Sequence, residues 1–177
     1  MLLPSFIQLN ITNKCNLQCK HCNNESWKPL IDELSNDEIY NTLDYFLEKW
    51  IVCITFWWWE PLLHPKIFDF IDYSVKKNWR ITLLSNWKII NQEIANKIVD
   101  LWVARVRLSL DWWTPEINDF IRWKWTFDSV INTIRCFKKT KLDDLAIMTN
   151  VNLYNFDDIE NLINILIQEW IDDLKLI

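Results

Sequence analysis

The sequence predicts an α/β fold, a partial (β/α)6 TIM-like barrel, and two observations carry that expectation. Short β-branched apolar runs alternate with amphipathic helical stretches along all 177 residues, the pattern of a parallel sheet joined by right-handed crossovers. Six strands with five principal crossovers exceed half of a doubly wound nucleotide-binding unit, and no G-x-G-x-x-G pattern follows the first strand. A barrel, complete or partial, fits better.

The elements follow in order. Residues 5–12 (SFIQLNIT) form the first strand and lead into a cysteine-bearing loop. A helix over 35–49 starts at Ser35, with Glu38 three residues later completing a capping box. Strand 51–56 (IVCITF) runs into Trp57-Trp58-Trp59-Glu60-Pro61 and then a helix over 64–78. Strand 80–85 (RITLLS) precedes helix 91–101, and strand 104–110 (ARVRLSL) precedes a short helix at 115–122 and a longer one at 126–140. Strand 145–152 (LAIMTNVN), helix 156–169 and strand 172–177 (DDLKLI) complete the alternation. The pattern stops on the sixth strand, so residues 1–177 read as one domain truncated at its C-terminus.

Composition narrows the function. Net charge is −5 with Lys and Arg scattered among acids, which argues against a nucleic-acid partner. No run of about 18 apolar residues marks a membrane span, and the N-terminus lacks the layout of a signal peptide. A cytoplasmic location is expected. Five cysteines, three of them within eight positions, look like a metal site in a reducing compartment rather than a disulfide framework.

Tryptophan is the anomaly. Glycine averages about 7% of residues, yet this chain has none and carries thirteen Trp. They stand where turns ask for Gly. Trp87 follows Ser85-Asn86 at a strand end, Trp112 and Trp113 follow Asp111, and Trp79 sits after Asn78 at an expected helix C′ position. Trp therefore reads as standing for Gly throughout, by a decoding convention in which TGA is rendered Trp, or by deliberate replacement. Left-handed backbone is expected at 87 and 112.

After the first strand, Cys15, Cys19 and Cys22 have C-x3-C-x2-C spacing, at the strand end where parallel α/β folds place their chemistry. Three thiolates can wrap one face of an iron–sulfur cluster and leave one iron open. Zinc and a C-x-x-C redox pair remain alternatives, although zinc wants a fourth ligand and His21 is badly placed to supply it. Cys53 and Cys136 read as packed small hydrophobes and His64 as structural.

These motifs together resemble the radical S-adenosylmethionine (SAM) superfamily. Read with Gly, "ITFWWWEP" becomes ITFGGGEP, similar to that family's GGEP element. "SNW" resembles its TNG-like turn, and "RLSLDWWTPEINDFIRWKWTFDSV" resembles a segment of its peptide-modifying and cofactor-maturing members. The resemblance implies a [4Fe–4S] cluster on Cys15, Cys19 and Cys22, and SAM on the open iron. It implies reductive SAM cleavage to a 5′-deoxyadenosyl radical that abstracts a substrate hydrogen. It places Trp58, Trp59 and Glu60 at the SAM amine, and Asn86, Ser109 and Asp111 at its carboxylate and ribose. Asn150 and Asn152 fall at the ribose or adenine, Val151 against the purine, and His21 beside the adenine. Arg122 becomes a candidate for a SAM or substrate carboxylate. A peptide or small-molecule substrate and an electron donor such as flavodoxin or ferredoxin are implied as partners. With indoles at 58 and 59, the chain as written is expected to bind SAM poorly. The alternative is a zinc- or thiol-based binding module, or a catalytically inert barrel fragment.

Overall fold

The computed structural model describes residues 5–22, 33–57 and 59–177. Six strands, β1 (Phe6–Leu9), β2 (Cys53–Phe56), β3 (Arg80–Ser85), β4 (Arg105–Ser109), β5 (Leu145–Thr149) and β6 (Asp173–Leu176), lie side by side in chain order. Every neighbouring pair is parallel; Phe56 lies between Leu9 and Leu83, and Val106 between Leu83 and Leu145. β1 and β6 are the two edges of the sheet. The expected open α/β barrel is therefore present.

Helices α1 (Asn36–Leu47), α2 (Ile67–Lys76), α3 (Gln92–Asp100), α4 (Pro115–Arg122), α5 (Thr126–Lys138) and α6 (Ile159–Gln168) make the crossovers. The capping box forms at α1: Glu38 N–H donates to Ser35 Oγ, and Ser35 N–H donates to Glu38 Oε2. Asn91 Oδ1 caps α3 by accepting from Ile94 N–H at 2.9 Å. Ile81 and Leu83 of β3, Val106 and Leu108 of β4 and Ile147 of β5 are fully buried with Ile39, Phe70, Ile71, Ile98 and Ile134 from the helices. Each such side chain contributes about 1.5–3 kcal/mol. The alternate β3 residue Leu84 faces the other way and, with Met148, lines a cavity.

Element ends are shorter than the sequence suggests, because side chains take over the backbone donors. β1 stops at Leu9, and beyond it Thr12 N–H donates to Asn10 Oδ1 while Lys14 N–H donates to Thr12 Oγ1. β5 stops at Thr149, where Asn152 N–H donates to Asn155 Oδ1 at 2.6 Å. A 3-10 turn, Pro61–Leu63, precedes α2 and delays its start to Ile67. Among the described residues no helix is long and apolar enough to cross a membrane.

Eight described residues have positive φ, and seven are Trp: 50, 59, 87, 102, 123, 125 and 170. Four helices end in one motif, in which the residue after a left-handed position donates back to a carbonyl five residues earlier. Ile51, Val103 and Ile171 do so after Trp50, Trp102 and Trp170, and Trp79 does so after Asn78. The left-handed residue past α2 is thus Asn78 rather than Trp79, and Asn enters that region at lower cost than other residues that carry a Cβ. Trp112 is likewise absent from the positive-φ set, whereas Trp87 is in it at 62°. Trp79, Trp87 and Trp112 are buried despite lying between elements, and Trp87 Nε1 donates to Thr126 O at 2.9 Å.

The indoles at 50, 102 and 170 are 86%, 80% and 87% exposed, so nothing offsets their backbone strain. Trp50→Gly, Trp102→Gly and Trp170→Gly should each stabilise the chain by about 1 kcal/mol. Urea denaturation of the single variants and the triple variant measures this, and the three increments should add because the sites are separate.

Candidate functional site

The C-terminal strand ends and their loops enclose a cavity of about 200 Å³, lined by Cys15, Cys19, Cys22, His21, Trp57 and Trp59, with Ser85, Asn86, Ser109, Arg122 and Asn150 among its polar walls. The cysteine loop is held at several points. Glu33 Oε1 accepts from Thr12 Oγ1–H and from Asn13 N–H, Lys14 O accepts from Glu60 N–H, and Ile121 O accepts from Lys20 N–H at 2.8 Å. The Lys20 ammonium lies over the Phe120 ring, so α4 clamps the loop between Cys19 and His21.

None of the five cysteines forms a disulfide, and Cys15, Cys19 and Cys22 are partly exposed to the cavity. Burial raises the Cys15 thiol, and raises Cys19 to about 11 against the opposing charge of Arg122. A metal must therefore displace protons from both thiols to bind. Among the described residues no three His, Cys, Asp or Glu side chains close on a single-ion site. Cys53, half-buried on β2, and Cys136, buried on α5, lie outside the cavity lining.

Two buried carboxylates organise the mouth. Glu60 is wholly buried: Oε2 accepts from Asn86 N–H at 2.6 Å, Oε1 from Leu62 N–H at 3.1 Å, and both oxygens from Ser85 Oγ–H. Burial outweighs these bonds and pushes its pKa up to about 7. Asp111 is also wholly buried: Oδ1 accepts from Arg122 Nη2 at 2.9 Å and from Asn150 N–H at 2.8 Å, while Arg122 Nε lies 2.7 Å from Oδ2. Burial works against the Arg122 charge, but Asp111, Cys19 and Cys15 together more than offset it. His21 Nδ1 sits 3.7 Å from Asp111 Oδ2, yet burial and then Arg122 lower its pKa, so the ring is neutral at pH 7.

Of the residues singled out in the sequence, the three cysteines, His21, Trp59, Asn86, Ser109 and Asn150 line the cavity together with Arg122. Glu60, Asp111 and Asn152 do not: their polar atoms bind the protein's own loops. Asn86 lines the cavity but turns its amide to Cys15 and Asn16. Trp58 lies outside the described residues. Val151 pairs its N–H with Ile177 O beside β6. His64 is buried, with Nδ1 accepting from Lys66 N–H at 3.1 Å, and is a packing residue. Sequence reasoning passed over Asn155 and Asn118, both wholly buried. Asn155 Nδ2 donates to Asp111 O and Asn150 O, and Asn118 Oδ1 accepts from Asp111 N–H. Nothing in the sequence separates these asparagines from ordinary helix-surface or loop polarity.

A family model described as the Radical SAM superfamily matches residues 9–166. Mycofactocin maturase MftC of Mycolicibacterium smegmatis is 25% identical over 157 residues, covering 89% of this chain and 40% of that protein. The structure of native anSMEcpe with bound AdoMet superposes with a TM-score of 0.82 at 19% identity, over 97% of this chain and 50% of its own. Streptococcus suis SuiB bound to precursor peptide SuiA gives a TM-score of 0.83 at 15% identity, over 98% and 39%. The chain spans half or less of the length of each of these proteins.

Two outcomes follow from the buried carboxylates. In the apo-protein, a native Glu60 that holds its proton up to about pH 7, against an unfolded carboxyl near 4.3, makes stability fall as pH rises through that window, by on the order of 3 kcal/mol. Thermal melts of Glu60→Gln should lose this slope between about pH 4.5 and 7 relative to the parent. Asp111→Ala strands the buried Arg122 guanidinium and should cost about 3–5 kcal/mol in urea unfolding, whether or not any ligand is present.

Proposed function

Because this chain belongs to the radical SAM superfamily, we propose that it is the catalytic core of a peptide-modifying or cofactor-maturing enzyme, with Cys15, Cys19 and Cys22 holding a [4Fe–4S] cluster. The observation that carries this reading is that Cys15, Cys19 and Cys22 all line the same cavity at the strand ends. When bound, the cluster and SAM supply one-electron cleavage of SAM to a 5′-deoxyadenosyl radical for hydrogen abstraction. The chain's own residues anchor and orient. Neutral His21 offers an aromatic face beside the cysteines, and Ser109, Asn150 and Arg122 form the polar wall that would meet a carboxylate and a ribose.

The fit to SAM is incomplete as the chain is written. About 200 Å³ of cavity falls below the roughly 300 Å³ at which small-molecule sites begin, and the Trp57 and Trp59 indoles fill part of the wall. Trp59 also has φ 44°, where Gly costs nothing. Glycine at the thirteen Trp positions therefore belongs to the same proposal, and in-frame TGA at all thirteen codons is its genetic signature. TGG at all thirteen would sink it. A peptide substrate is supported by the likeness to SuiB with its precursor peptide. A flavodoxin- or ferredoxin-type donor and a reducing cytoplasm suit five cysteines that form no disulfide.

Anaerobic iron and sulfide analysis tests the cluster. The reconstituted chain should carry about four iron and four sulfide, and Cys15→Ala, Cys19→Ala or Cys22→Ala should each lose them, while Cys53→Ala and Cys136→Ala keep them. One zinc without sulfide supports the binding-module alternative. For SAM, the Trp57→Gly/Trp59→Gly variant with its cluster in place should bind more tightly than the parent by calorimetry. Equal affinity would mean the indoles do not obstruct the site.

A further inference from the structure

We propose that Asn86 is a positioning residue for the cluster, its side-chain N–H fixed on the Cys15 sulfur so that the cluster is easier to reduce. The inference rests on reading Cys15, Cys19 and Cys22 as cluster ligands. It departs from the role the family resemblance implies for Asn86 because the amide is already engaged: Nδ2 lies 3.5 Å from Cys15 Sγ and 2.7 Å from Asn16 Oδ1.

Three contacts leave that amide one orientation. Asn86 Oδ1 accepts from Lys88 N–H at 3.2 Å, so the oxygen cannot face the sulfur and the NH2 group must. The left-handed turn at Trp87, φ 62°, brings Lys88 N–H back under the side chain. The backbone N–H of Asn86 donates to buried Glu60, and the residue is 5% exposed. Water therefore competes little for the donor. Asn16, next to Cys15 in the chain, takes the second amide proton, so the loop that carries the thiol also holds its donor in place.

A donor on a cluster thiolate acts on potential. One electron enters the cluster from the external flavodoxin- or ferredoxin-type donor, no bond forms or breaks, and negative charge on the sulfurs grows. A fixed N–H dipole stabilises the reduced state more than the oxidised one, and in a buried site the effect is large. Arg122 bears on Cys19, and Cys15 has the Asn86 amide together with a hydrogen bond from the Leu17 backbone. Removing Asn86 thus removes one of two donors and leaves the three ligands untouched.

The test is an EPR-monitored redox titration of the anaerobically reconstituted full chain without SAM, which sets the filled cavity aside. Asn86→Leu should hold four iron and show about a tenfold lower reduced-to-oxidised ratio at fixed potential, a midpoint about 59 mV more negative for one electron. Asn86→Asp, which has no N–H donor and adds negative charge, should fall at least as far. A variant that holds four iron with an unmoved midpoint overturns this inference alone. If neither variant holds its cluster, the contact serves assembly rather than potential, and the proposal is likewise overturned. A parent chain that takes up no four-iron cluster overturns the reading of the three cysteines and this inference with it.

Discussion

The mouth of the barrel depends on the buried carboxylate of Glu60. Its backbone N–H binds the cysteine loop at Lys14 O, and its side chain accepts from Leu62, Ser85 and Asn86, so one residue joins the loops that follow β1, β2 and β3. A carboxyl in this position costs desolvation, which is why its pKa rises, and only a full set of donors makes burial tolerable. Removing the group would leave the Ser85 hydroxyl and two backbone N–H groups without their acceptor and would loosen the segment that presents Cys15.

Asp111 does the same for the other half. It ties β4 to α4 through Arg122 and to the start of the β5 loop through Asn150, and its own backbone groups are taken by Asn118 and Asn155. Arg122 in turn neighbours Cys19. The two clasps meet across the cysteine loop, with Asn86 at Cys15 on one side and Arg122 near Cys19 on the other. Dynamics at the site are constrained accordingly: the loop is held by side chains that are themselves fixed, which is the preorganisation a cofactor site needs.

The strand and helix alternation was legible because apolar periodicity reports burial directly, as in Ile81 and Leu83 on one face of β3 with Leu84 on the other. The cysteine spacing was legible because ligand geometry constrains sequence distance. The direction of a polar side chain was not. Glu60, Asp111 and Asn86 stand in the motifs that pointed to a cofactor, yet each bonds to the protein itself, since burial of an acid or amide depends on donors from distant loops. Asn118 and Asn155 were invisible for the same reason: their partners lie 7 and 44 residues away at Asp111.

The tryptophans separate two demands that glycine meets at once. The backbone needs a left-handed residue at 59, just before Glu60, and at 87, just after Asn86; these two turns deliver the carboxylate to the amide N–H. At Trp87 the side chain repays part of its strain through burial and its bond to Thr126 O. At Trp50, Trp102 and Trp170 it is solvent-exposed and repays nothing. At Trp59, and beside it at Trp57, the side chain lines the cavity where the cofactor would lie, so its volume opposes the chemistry the turn is built to serve. The conflict between backbone and side chain is therefore sharpest at the site itself, and a residue with no side chain is the one that removes it there.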